Sequence, residues 1–480
     1  MKNLKTQLAV LLLSTLCLFT GAHGQVQPTF TTFDAPGAGR GPRQGTYPFA
    51  INSEAAITGY YCDAITCHGF VRDGDGTFTT FDVPNDVNGT YPLGINQGGA
   101  ITGYWFDANY NNHGFIRDRD GTLTAFDVPN DVNGTQPTSI DPEGTITGNY
   151  CDVNLACHGF LRDGHGNITT FDVPGDGTGN FLGTYPASIN PQGVVSGCYT
   201  DANSVTHGFL RDPNGTMTTF DGPHGTDAGI GQCFGYVFPS PGFAINPEGA
   251  ITGTYFKPMP NPFGGDYRGF LRNPDGSFAT FDAATYSPCC IWTFGLAINS
   301  EGAIAGYYND GLNVNHGFLR DSQGTITTLD APGAGTGPLG EQGTFADGIN
   351  PSGQITGYYV DSGYVRHGFL LVPQVAVSPA NLNFGDVELG RPAKKVVTLE
   401  NLGVYPVEIG PITFSVTTGD ASQFSDHVFC SANLGAGKSC TLAVFFTPDA
   451  VGTDAATLNI VTSAPGSPIE IPITAAGKEE

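Results

Sequence analysis

Apolar and polar residues alternate along most of the chain in short runs that are separated by glycine-rich turns. The clearest set occupies residues 50–52, 56–61, 68–73 and 79–82, and each run has the length and alternation of a β-strand. The same four runs recur about every 45 to 60 residues. Four short strands per repeat are typical of a β-propeller blade, because a solenoid coil uses fewer residues per turn.

A His-Gly-Phe element marks the third strand of each repeat, with Arg268 in place of the histidine in one of seven copies. The histidines are His68, His113, His158, His207, His316 and His367. The seventh copy lacks the Thr-Thr-Phe-Asp strand that follows the others, and an isolated copy of that strand stands at residues 31–34. Pairing the two closes the ring and removes its exposed edges. The sequence therefore predicts an all-β, seven-bladed β-propeller closed by an N-terminal strand, with Asp34 beside His367.

The hairpin between the third and fourth strands fixes the pairing of two polar residues in each repeat. Its turn reads Asp-Gly-Asp-Gly at 73–76 and contains Pro-Asn-Gly or Pro-Asp-Gly in other copies, which indicates a type I turn with a glycine bulge. A three-residue loop at 74–76 places His68 opposite Asp82. The same spacing pairs His113 with Asp127, His158 with Asp172, His207 with Asp221, His316 with Asp330, and Arg268 with Asp282. We predict a structural role for all of these pairs, because a donor faces a carboxylate in every one.

The two ends of the chain differ from the repeats. Residues 1–24 combine two lysines, an apolar run and a small-residue exit, which is the pattern of a secretory signal peptide. No later run reaches the ~18 apolar residues of a membrane span, so we expect no membrane insertion. After the propeller at 25–373, residues 374–480 carry a different series of short strands, which predicts one immunoglobulin-like β-sandwich. We expect a protein secreted to the extracellular space or the periplasm.

Ten of the eleven cysteines remain once Cys17 is removed with the signal peptide. An even number in an exported protein favours disulfides over metal-thiolate sites. Two cysteine pairs flank corresponding loops, and the second repeat lacks both members together, which is the pattern of local bridges. The predicted pairs are Cys62–Cys67, Cys151–Cys157 and Cys430–Cys440. The pairing stays open for Cys198, Cys233, Cys289 and Cys290.

Acidic residues outnumber basic ones by 44 to 19, and the net charge is −25. Such a chain repels nucleic acid and anionic membrane surfaces, which excludes both as partners. An extracellular glycan or protein remains as the expected partner.

The connections between the predicted strands divide between two faces of the propeller. The 1–2 and 3–4 turns are short and uniform, whereas the 2–3 and 4–1 loops on the other face vary and include a long insertion at 222–242. We call this second face the loop-rich face and place the ligand there, because binding sites commonly lie on variable loops carried by a rigid scaffold. The candidate residues are Asp63, Trp105, Asp107, Asp152, Asp201, His224, Asp227, Asp310 and Asp361.

Each loop aspartate is expected near a His–Asp pair, and an imidazole beside two carboxylates can bind a metal or transfer protons. Sixfold repetition argues against catalysis, because a reaction centre needs one differentiated site. The repeat with Arg268 loses its loop aspartate as well, which suggests that the two residues interact. Trp105 and the recurring tyrosine pairs suit either sugar stacking or packing between blades. The run at 73–76 has a faint likeness to a calcium loop, so no cofactor and no metal are predicted, with calcium as the alternative.

These features favour a secreted, non-catalytic binding or scaffolding protein. The alternative is a secreted hydrolase or lyase with its site in the propeller channel or under the 222–242 insertion, where His224, Asp227 and Cys233 break the repeat symmetry. A structural component of the cell envelope is a third possibility. No arrangement typical of a nucleophilic triad, a zinc site or a phosphate loop is present in the sequence, so no catalytic residue is assigned.

Two family resemblances accompany these patterns. With its His-Gly-Phe and Thr-Thr-Phe-Asp elements, the region 25–373 resembles the bacterial extracellular HAF repeat family. The C-terminal region, with Asn383, Phe384 and Gly385 and the run 440–448, resembles the abnormal-spindle/Hydin type of immunoglobulin-like module. The resemblances imply the two folds and export, and neither implies a known reaction.

Overall fold

The computed structural model describes residues 29–479 except 133, 224–242, 259–264, 284–291, 323, 338–339, 373–374, 380, 402–405 and 465–467. The signal-peptide prediction and the candidates His224 and Asp227 therefore lie outside the described residues. The described part is all-β apart from one short 3-10 helix, Ala421–Gln423. No helix in this part is long and apolar enough to cross a membrane.

Seven four-stranded blades make up the propeller, and strand β1 (Thr29–Phe33) belongs to the last of them. The first three blades contain β2 (Gly45–Ile51), β3 (Ile57–Cys62), β4 (Cys67–Arg72), β5 (Phe78–Phe81), β6 (Thr90–Ile95), β7 (Ile101–Phe106), β8 (Asn112–Arg117), β9 (Leu123–Phe126), β10 (Thr135–Ile140), β11 (Ile146–Cys151), β12 (Cys157–Arg162) and β13 (Ile168–Phe171). The next two contain β14 (Gly183–Ile189), β15 (Val195–Thr200), β16 (Thr206–Arg211), β17 (Met217–Phe220), β18 (Phe243–Ile245), β19 (Ile251–Pro258), β20 (Gly265–Arg272) and β21 (Phe278–Phe281). The last two contain β22 (Trp292–Ile298), β23 (Ile304–Asn309), β24 (Asn315–Arg320), β25 (Ile326–Leu329), β26 (Gly343–Ile349), β27 (Ile355–Val360) and β28 (Arg366–Val372).

Each blade is an antiparallel meander whose repeated residues build the same core. In the first blade Ile57 of the second strand and Phe70 of the third are completely buried, and the Thr58 hydroxyl donates to the Phe70 carbonyl at 2.9 Å. The glycine of the His-Gly-Phe element is required by close packing. A Cβ on Gly69 would lie 2.8 Å from the ring of Phe81, which is closer than real Cβ contacts come.

The N-terminal strand closes the ring, as predicted. Strand β1 pairs antiparallel with β28, from Thr29 opposite Val372 to Phe33 opposite Gly368. The ring of Phe30 packs edge-on against that of Phe369 at 5.3 Å between centroids. The predicted fold class of the propeller is therefore confirmed.

A ring of asparagine amides joins the innermost turns of neighbouring blades. The amide nitrogen of Asn52, at the end of the first strand, donates to the main-chain carbonyl of Asn96 in the next blade at 3.1 Å. The same bond links Asn96 to Asp141, Asn190 to Asn246, Asn246 to Asn299, Asn299 to Asn350, and Asn350 back to Asn52. Asp141 occupies the equivalent position in the third blade, where an ionised carboxylate has no proton to donate.

The C-terminal strands form an immunoglobulin-like β-sandwich, which confirms that part of the predicted fold. One sheet has the order β29 (Val375–Ser378), β31 (Ala393–Asn401), β35 (Ser439–Phe446) and β33 (Phe424–Val428). The other has the order β30 (Leu382–Glu388), β37 (Ile469–Lys478), β36 (Gly452–Thr462), β32 (Val407–Thr418) and β34 (Asn433–Leu434). Fully buried side chains of both sheets, such as Val397 and Leu458, meet in its core.

Three local disulfides are present, Cys62–Cys67, Cys151–Cys157 and Cys430–Cys440, as predicted. Cys198 is also disulfide-bonded, and Cys233, Cys289 and Cys290 lie outside the described residues. Disulfides are typical of an oxidising compartment such as the extracellular space or the periplasm.

Candidate functional site

The hairpin register places each histidine against its predicted carboxylate. In the first blade Gly69 pairs with Phe81, the Asp73 N–H donates to the Thr77 carbonyl at 2.8 Å, and His68 Nδ1 lies 2.9 Å from Asp82 Oδ1. The other predicted pairs have Nδ1–Oδ1 distances of 2.6 to 2.9 Å, namely His113–Asp127, His158–Asp172, His207–Asp221, His316–Asp330 and His367–Asp34.

The loop aspartates lie on the other side of each imidazole and hold the 2–3 loops. His113 Nε2 is 3.7 Å from Asp107 Oδ2, and Asp107 Oδ1 accepts the main-chain N–H groups of Asn109 and Asn111 at 2.8 and 2.9 Å. These hydrogen bonds, led by the one from Asn111, lower the pKa of Asp107 to about 2. The equivalent distances are 3.5 to 3.9 Å for Asp63, Asp152, Asp201, Asp310 and Asp361. These carboxylates are thus engaged within their own blades.

An aromatic ring covers each histidine and completes the cluster. Tyr61 stacks on His68 at 5.0 Å between centroids, and Trp105 stacks on His113 at 4.6 Å. Trp105 is only 7% exposed. The sequence left sugar stacking and packing open for Trp105, and the burial of its ring against His113 fits packing.

The fifth blade keeps the same electrostatic arrangement with different residues. Arg268 donates to Asp282 Oδ2 at 2.7 Å, as the spacing predicts, and also to Asp266 Oδ2 at 3.3 Å. Asp266 is buried and supplies a second carboxylate although the loop aspartate is missing. Sequence reasoning missed it, because Asp266 lies within strand β20 and not at the start of a loop.

The loop-rich face exposes apolar side chains. Ile65 is 90% exposed and Tyr110 is 71% exposed, each at the tip of a 2–3 loop. Every strongly exposed large apolar side chain in the described part of the propeller lies on this face, and the full set is Ile65, Val87, Tyr110, Val132, Val153, Trp292 and Leu312. Tyr110 also has a positive φ of 65°, a conformation that costs energy in a residue other than glycine. All of these side chains lie in or next to the 2–3 and 4–1 loops.

A belt of aromatic rings crosses neighbouring blades, with members on the first and second strands and one, Tyr267, on a third strand. Consecutive centroids lie 4.6 to 6.0 Å apart along Tyr267, Phe294, Tyr307, Phe345, Tyr358, Tyr47, Tyr60, Tyr91 and Tyr104, which we call the aromatic belt. Burial raises the pKa of Tyr47 to about 12 and also raises the pKa values of Tyr60 and Tyr358 well above the usual value. The belt is therefore uncharged at neutral pH, and its tyrosine pairs pack between blades.

One acidic side chain lies at a β-bulge in the described part of the innermost strands. In six blades the innermost strand has a β-bulge, and the residues in the bulges are Phe49, Leu93, Thr138, Ala187, Leu296 and Asp347. Asp347 Oδ2 is buried and has no hydrogen-bond partner among the described residues, although the residue as a whole is only half-buried. Burial raises the pKa of Asp347 to about 8.

Arg366 is a second residue without a counterpart in the other blades. Its guanidinium carbon lies 5.2 Å from the ring centroid of Tyr47 in the aromatic belt. Its Nε and Nη1 atoms are buried without a partner in the described part of the chain. The equivalent positions in the first three blades hold Cys67, Asn112 and Cys157. Asp347 and Arg366 thus break the repeat symmetry, and sequence reasoning missed both.

The described residues contain no group of three His, Cys, Asp or Glu side chains placed to hold a metal ion. The run at 73–76 forms the hairpin turn, where Asp75 Oδ1 accepts the Thr77 N–H at 2.9 Å. The carboxylate of Asp75 is therefore part of the turn itself.

Comparison with known proteins identifies one region. Residues 369–468 match the family model of the abnormal spindle-like microcephaly-associated, ASPM-SPD-2-Hydin (ASH) domain. This match confirms the resemblance of the C-terminal region. The ASH/PapD-like domain of human CEP192 is 17% identical, covers 22% of this chain and 86% of its own, and has a TM-score of 0.18. No curated protein matches the chain.

The solved structures that resemble the propeller are distant. A streptogramin B lyase is 14% identical, with a TM-score of 0.43, and the match covers 71% of this chain and 97% of that one. TolB from Acinetobacter baumannii is 13% identical, with a TM-score of 0.34, and covers 65% of this chain and 78% of its own. At such scores the likeness adds nothing to the strand pairing, which itself defines the propeller.

Proposed function

We propose that this protein is a secreted, non-catalytic binding protein whose loop-rich face contacts a macromolecular partner. The observation that carries the proposal is the confinement of the exposed apolar side chains of the propeller to that face, with Ile65 and Tyr110 at loop tips. An apolar surface of this kind loses unfavourable contact with water when a partner covers it.

The chemistry of these side chains favours a protein over a glycan. Five of the seven are aliphatic, and only Tyr110 and Trp292 offer rings on which a sugar stacks. The loop aspartates are committed to capping their loops, so they supply few free groups for sugar hydroxyls. The proposal keeps the partner predicted from the sequence and narrows it to a protein.

Secretion is part of the same proposal. The signal-peptide pattern at 1–24 and the disulfides both fit export. Cleavage near Gln25 leaves β1 intact, because that strand begins at Thr29. N-terminal sequencing of the exported protein is expected to begin near Gln25, and a mature protein that retains residues 1–24 would contradict this part.

The hydrolase or lyase alternative has one observation in its favour, the single unrepeated carboxyl of Asp347. Hydrolysis and elimination generally need a second group, either a nucleophile or a base, within hydrogen-bond reach of the reacting atoms. Among the described residues, the hydroxyls of Tyr307 and Tyr358 interact electrostatically with Asp347, and burial keeps both hydroxyls neutral by raising their pKa values. A binding function therefore explains the surroundings of Asp347 without a second catalytic group, which a hydrolase or lyase would need.

The test compares two surface variants of the mature protein. In the first, Ile65, Tyr110, Val153 and Leu312 are changed together to serine. In the matched control, Glu54 and Arg119 are changed to serine, because they form an exposed ion pair at 3.3 Å on the opposite face. Chemical cross-linking in the secreted fraction, followed by mass spectrometry, identifies the bound proteins.

We expect the wild type and the control variant to capture the same proteins and the loop variant to lose them by at least about tenfold, the change that 1.4 kcal/mol produces. Equal capture by all three proteins would refute the loop-rich face as the contact surface. Turnover of a substrate that is abolished by Asp347→Asn would instead establish the enzymatic alternative.

A further inference from the structure

Five strongly exposed apolar side chains lie on three consecutive blades. Ile65, Tyr110 and Val153 stand in the 2–3 loops of the first, second and third blades. Val87 and Val132 stand in the 4–1 loops between these blades. Their exposed fractions range from 55% to 90%. We call these five residues the apolar arc.

Each 4–1 loop of the arc lies against the 2–3 loop of the blade that follows it. The Val87 N–H donates to the carbonyl of Phe106, the last residue before the 2–3 loop of the second blade, at 3.3 Å. In the same way the Val132 N–H donates to the carbonyl of Cys151 in the third blade at 3.3 Å. The apolar side chains of the arc therefore stand in adjacent loops and are not scattered singly over the surface.

The tips of these loops are held in shape by their own aspartates. Asp63 Oδ1 accepts the main-chain N–H groups of Ile65 at 2.6 Å and of Thr66 at 2.9 Å. Asp107 holds the loop of Tyr110 by equivalent bonds. A surface that is already ordered loses less conformational entropy when a partner binds than a mobile one does.

Charge of one sign accompanies the apolar arc. The five loops that carry it contain seven aspartates and no lysine, arginine or glutamate, and their bounds are 63–66, 82–89, 107–111, 127–134 and 152–156. The side chains of Asp82 and Asp127, which pair with histidines, remain about half exposed. Arg43, in the loop before the first blade, is already paired with Glu341. The arc is thus an apolar surface with an acidic rim.

We infer that the apolar arc binds a basic protein segment that carries lysine or arginine beside large apolar side chains. This inference rests on the proposed function and specifies the partner of the loop-rich face. Apolar side chains of the segment cover Ile65, Tyr110 and the three valines, which removes their contact with water. Its cations lie near the aspartates, where exposed ion pairs each add a small increment and the opposite charges speed the encounter.

Other occupants fit the arc less well. An acidic segment would meet like charge from the aspartates. Insertion of the loop tips into a lipid bilayer would carry the same ionised carboxylates toward hydrocarbon, which is costly. A second copy of this chain offers Lys394 and the exposed Val396 of β31, but each copy has a net charge of −25, so two copies repel one another.

The experiment uses the full mature protein and three synthetic peptides of equal length. The first consists of lysine and leucine, the second of glutamate and leucine, and the third of lysine and serine. Fluorescence anisotropy of the labelled peptides gives their affinities at low and at high ionic strength. We expect the lysine–leucine peptide to bind at least about tenfold more tightly than either of the others, and to bind more weakly as salt is added.

Two pairs of variants assign the site. Serine at all five positions of the arc is expected to lower the affinity for the lysine–leucine peptide at least about tenfold, whereas Leu312→Ser, on the same face outside the arc, should leave it unchanged. Asp82→Asn with Asp127→Asn keeps an oxygen toward each histidine and removes two charges beside the arc, so a loss of about threefold is expected. Asp75→Asn with Asp120→Asn removes two charges from the 3–4 turns on the opposite face and should have little effect.

Several results would overturn the inference. They are equal binding of the three peptides, unaltered binding by the serine variant, and the same loss from both pairs of aspartate substitutions. Self-association of the wild type that the serine variant abolishes would make a second copy the occupant. Failure of the lysine–leucine peptide to bind, with cross-links in the secreted fraction that still depend on the loop tips, would refute the basic partner and leave the proposed function standing. Cross-links that do not depend on the loop tips would refute the proposed function itself.

Discussion

Asp34 and His367 are 333 residues apart in the chain and share a hydrogen bond of 2.9 Å between Oδ1 and Nδ1. The pair sits beside the strand pairing of β1 with β28, where the ring is closed. Its counterparts in other blades join residues only 14 apart, so the same local geometry serves here as a long-range contact.

Removal of the closing strand should destabilise the propeller. Deletion of residues 25–33 exposes the edge of β28 and removes the partly buried Phe30 from Phe369. We expect a loss of about 3–5 kcal/mol, the range for removal of a large aromatic side chain from a core, because the strand pairing is lost as well. Urea unfolding measures the change. Asp34→Asn should cost less than about 1 kcal/mol, because the Asp34–His367 pair is partly exposed. A deletion no more harmful than Asp34→Asn would mean that β1 contributes little to closure.

Completion of the asparagine ring should stabilise the fold. Asp141→Asn supplies the missing amide donor toward the carbonyl of Asn190 and removes a buried acid, so we expect a gain of about 1–2 kcal/mol at pH 7. Burial raises the pKa of Asp141. Its folded form therefore holds the proton more tightly than the unfolded chain does, and the stability that it contributes is lost as pH rises through the folded pKa.

The gain from Asp141→Asn should accordingly be larger at pH 7 than at pH 4, as measured by urea unfolding at both values. Asn190→Asp introduces a second gap in the ring and serves as the opposite control, with an expected loss of similar size. A destabilised Asp141→Asn protein would show that the carboxylate has a favourable partner that the ring geometry does not include.

Two histidines should make stability depend on pH between 6 and 8. Hydrogen bonds that the imidazoles donate to Asp330 and Asp34 raise the pKa values of His316 and His367, and Asp310 and Asp361 act in the same direction. A raised histidine pKa gives stabilisation that is complete below the unfolded value and is lost as pH rises through the folded value. The melting temperature is thus expected to fall from pH 6 to pH 8 less steeply in a His316→Gln, His367→Gln variant than in the wild type. Parallel profiles for the two proteins would contradict the prediction.

The disulfide in the first blade should stabilise a loop without being required for its fold. The equivalent loop of the second blade ends in Phe106 and Asn112 and forms the same strand pair without a bridge. Cys62→Ser with Cys67→Ser is expected to cost about 2 kcal/mol through loop entropy, and to leave the far-ultraviolet circular dichroism spectrum unchanged. Loss of the folded spectrum would show that the bridge is essential.

Local chemistry made the blade predictable from sequence. The turn at 73–76 fixes the register of the hairpin between the third and fourth strands. That register places His68 opposite Asp82 independently of the other blades. The closing strand was predictable for a related reason, because the missing strand of the last repeat and the isolated copy at 31–34 are complementary.

Two residues that distinguish one blade from the others, Asp347 and Arg366, were not found in this way. Asp347 is conspicuous only once the bulges are aligned, where it is the one ionisable side chain among apolar or small residues. Its burial depends on all the neighbouring inner strands, and no local pattern encodes that. The sequence could not decide between the two alternatives for Trp105, because an aromatic residue near a loop has the same sequence pattern whether it is exposed or stacked on His113.

The pairing of β1 with β28 also determines when this propeller is finished. Strand β1 pairs with β28, which ends at Val372. The ring therefore cannot close until nearly all of the repeat region has been synthesised. Contacts that span such a distance slow folding, because the entropy of closing the loop is lost before they form. A chain truncated before β28 leaves two strand edges unpaired and accessible to proteases. The pairing of β1 with β28 therefore distinguishes complete molecules from truncated ones.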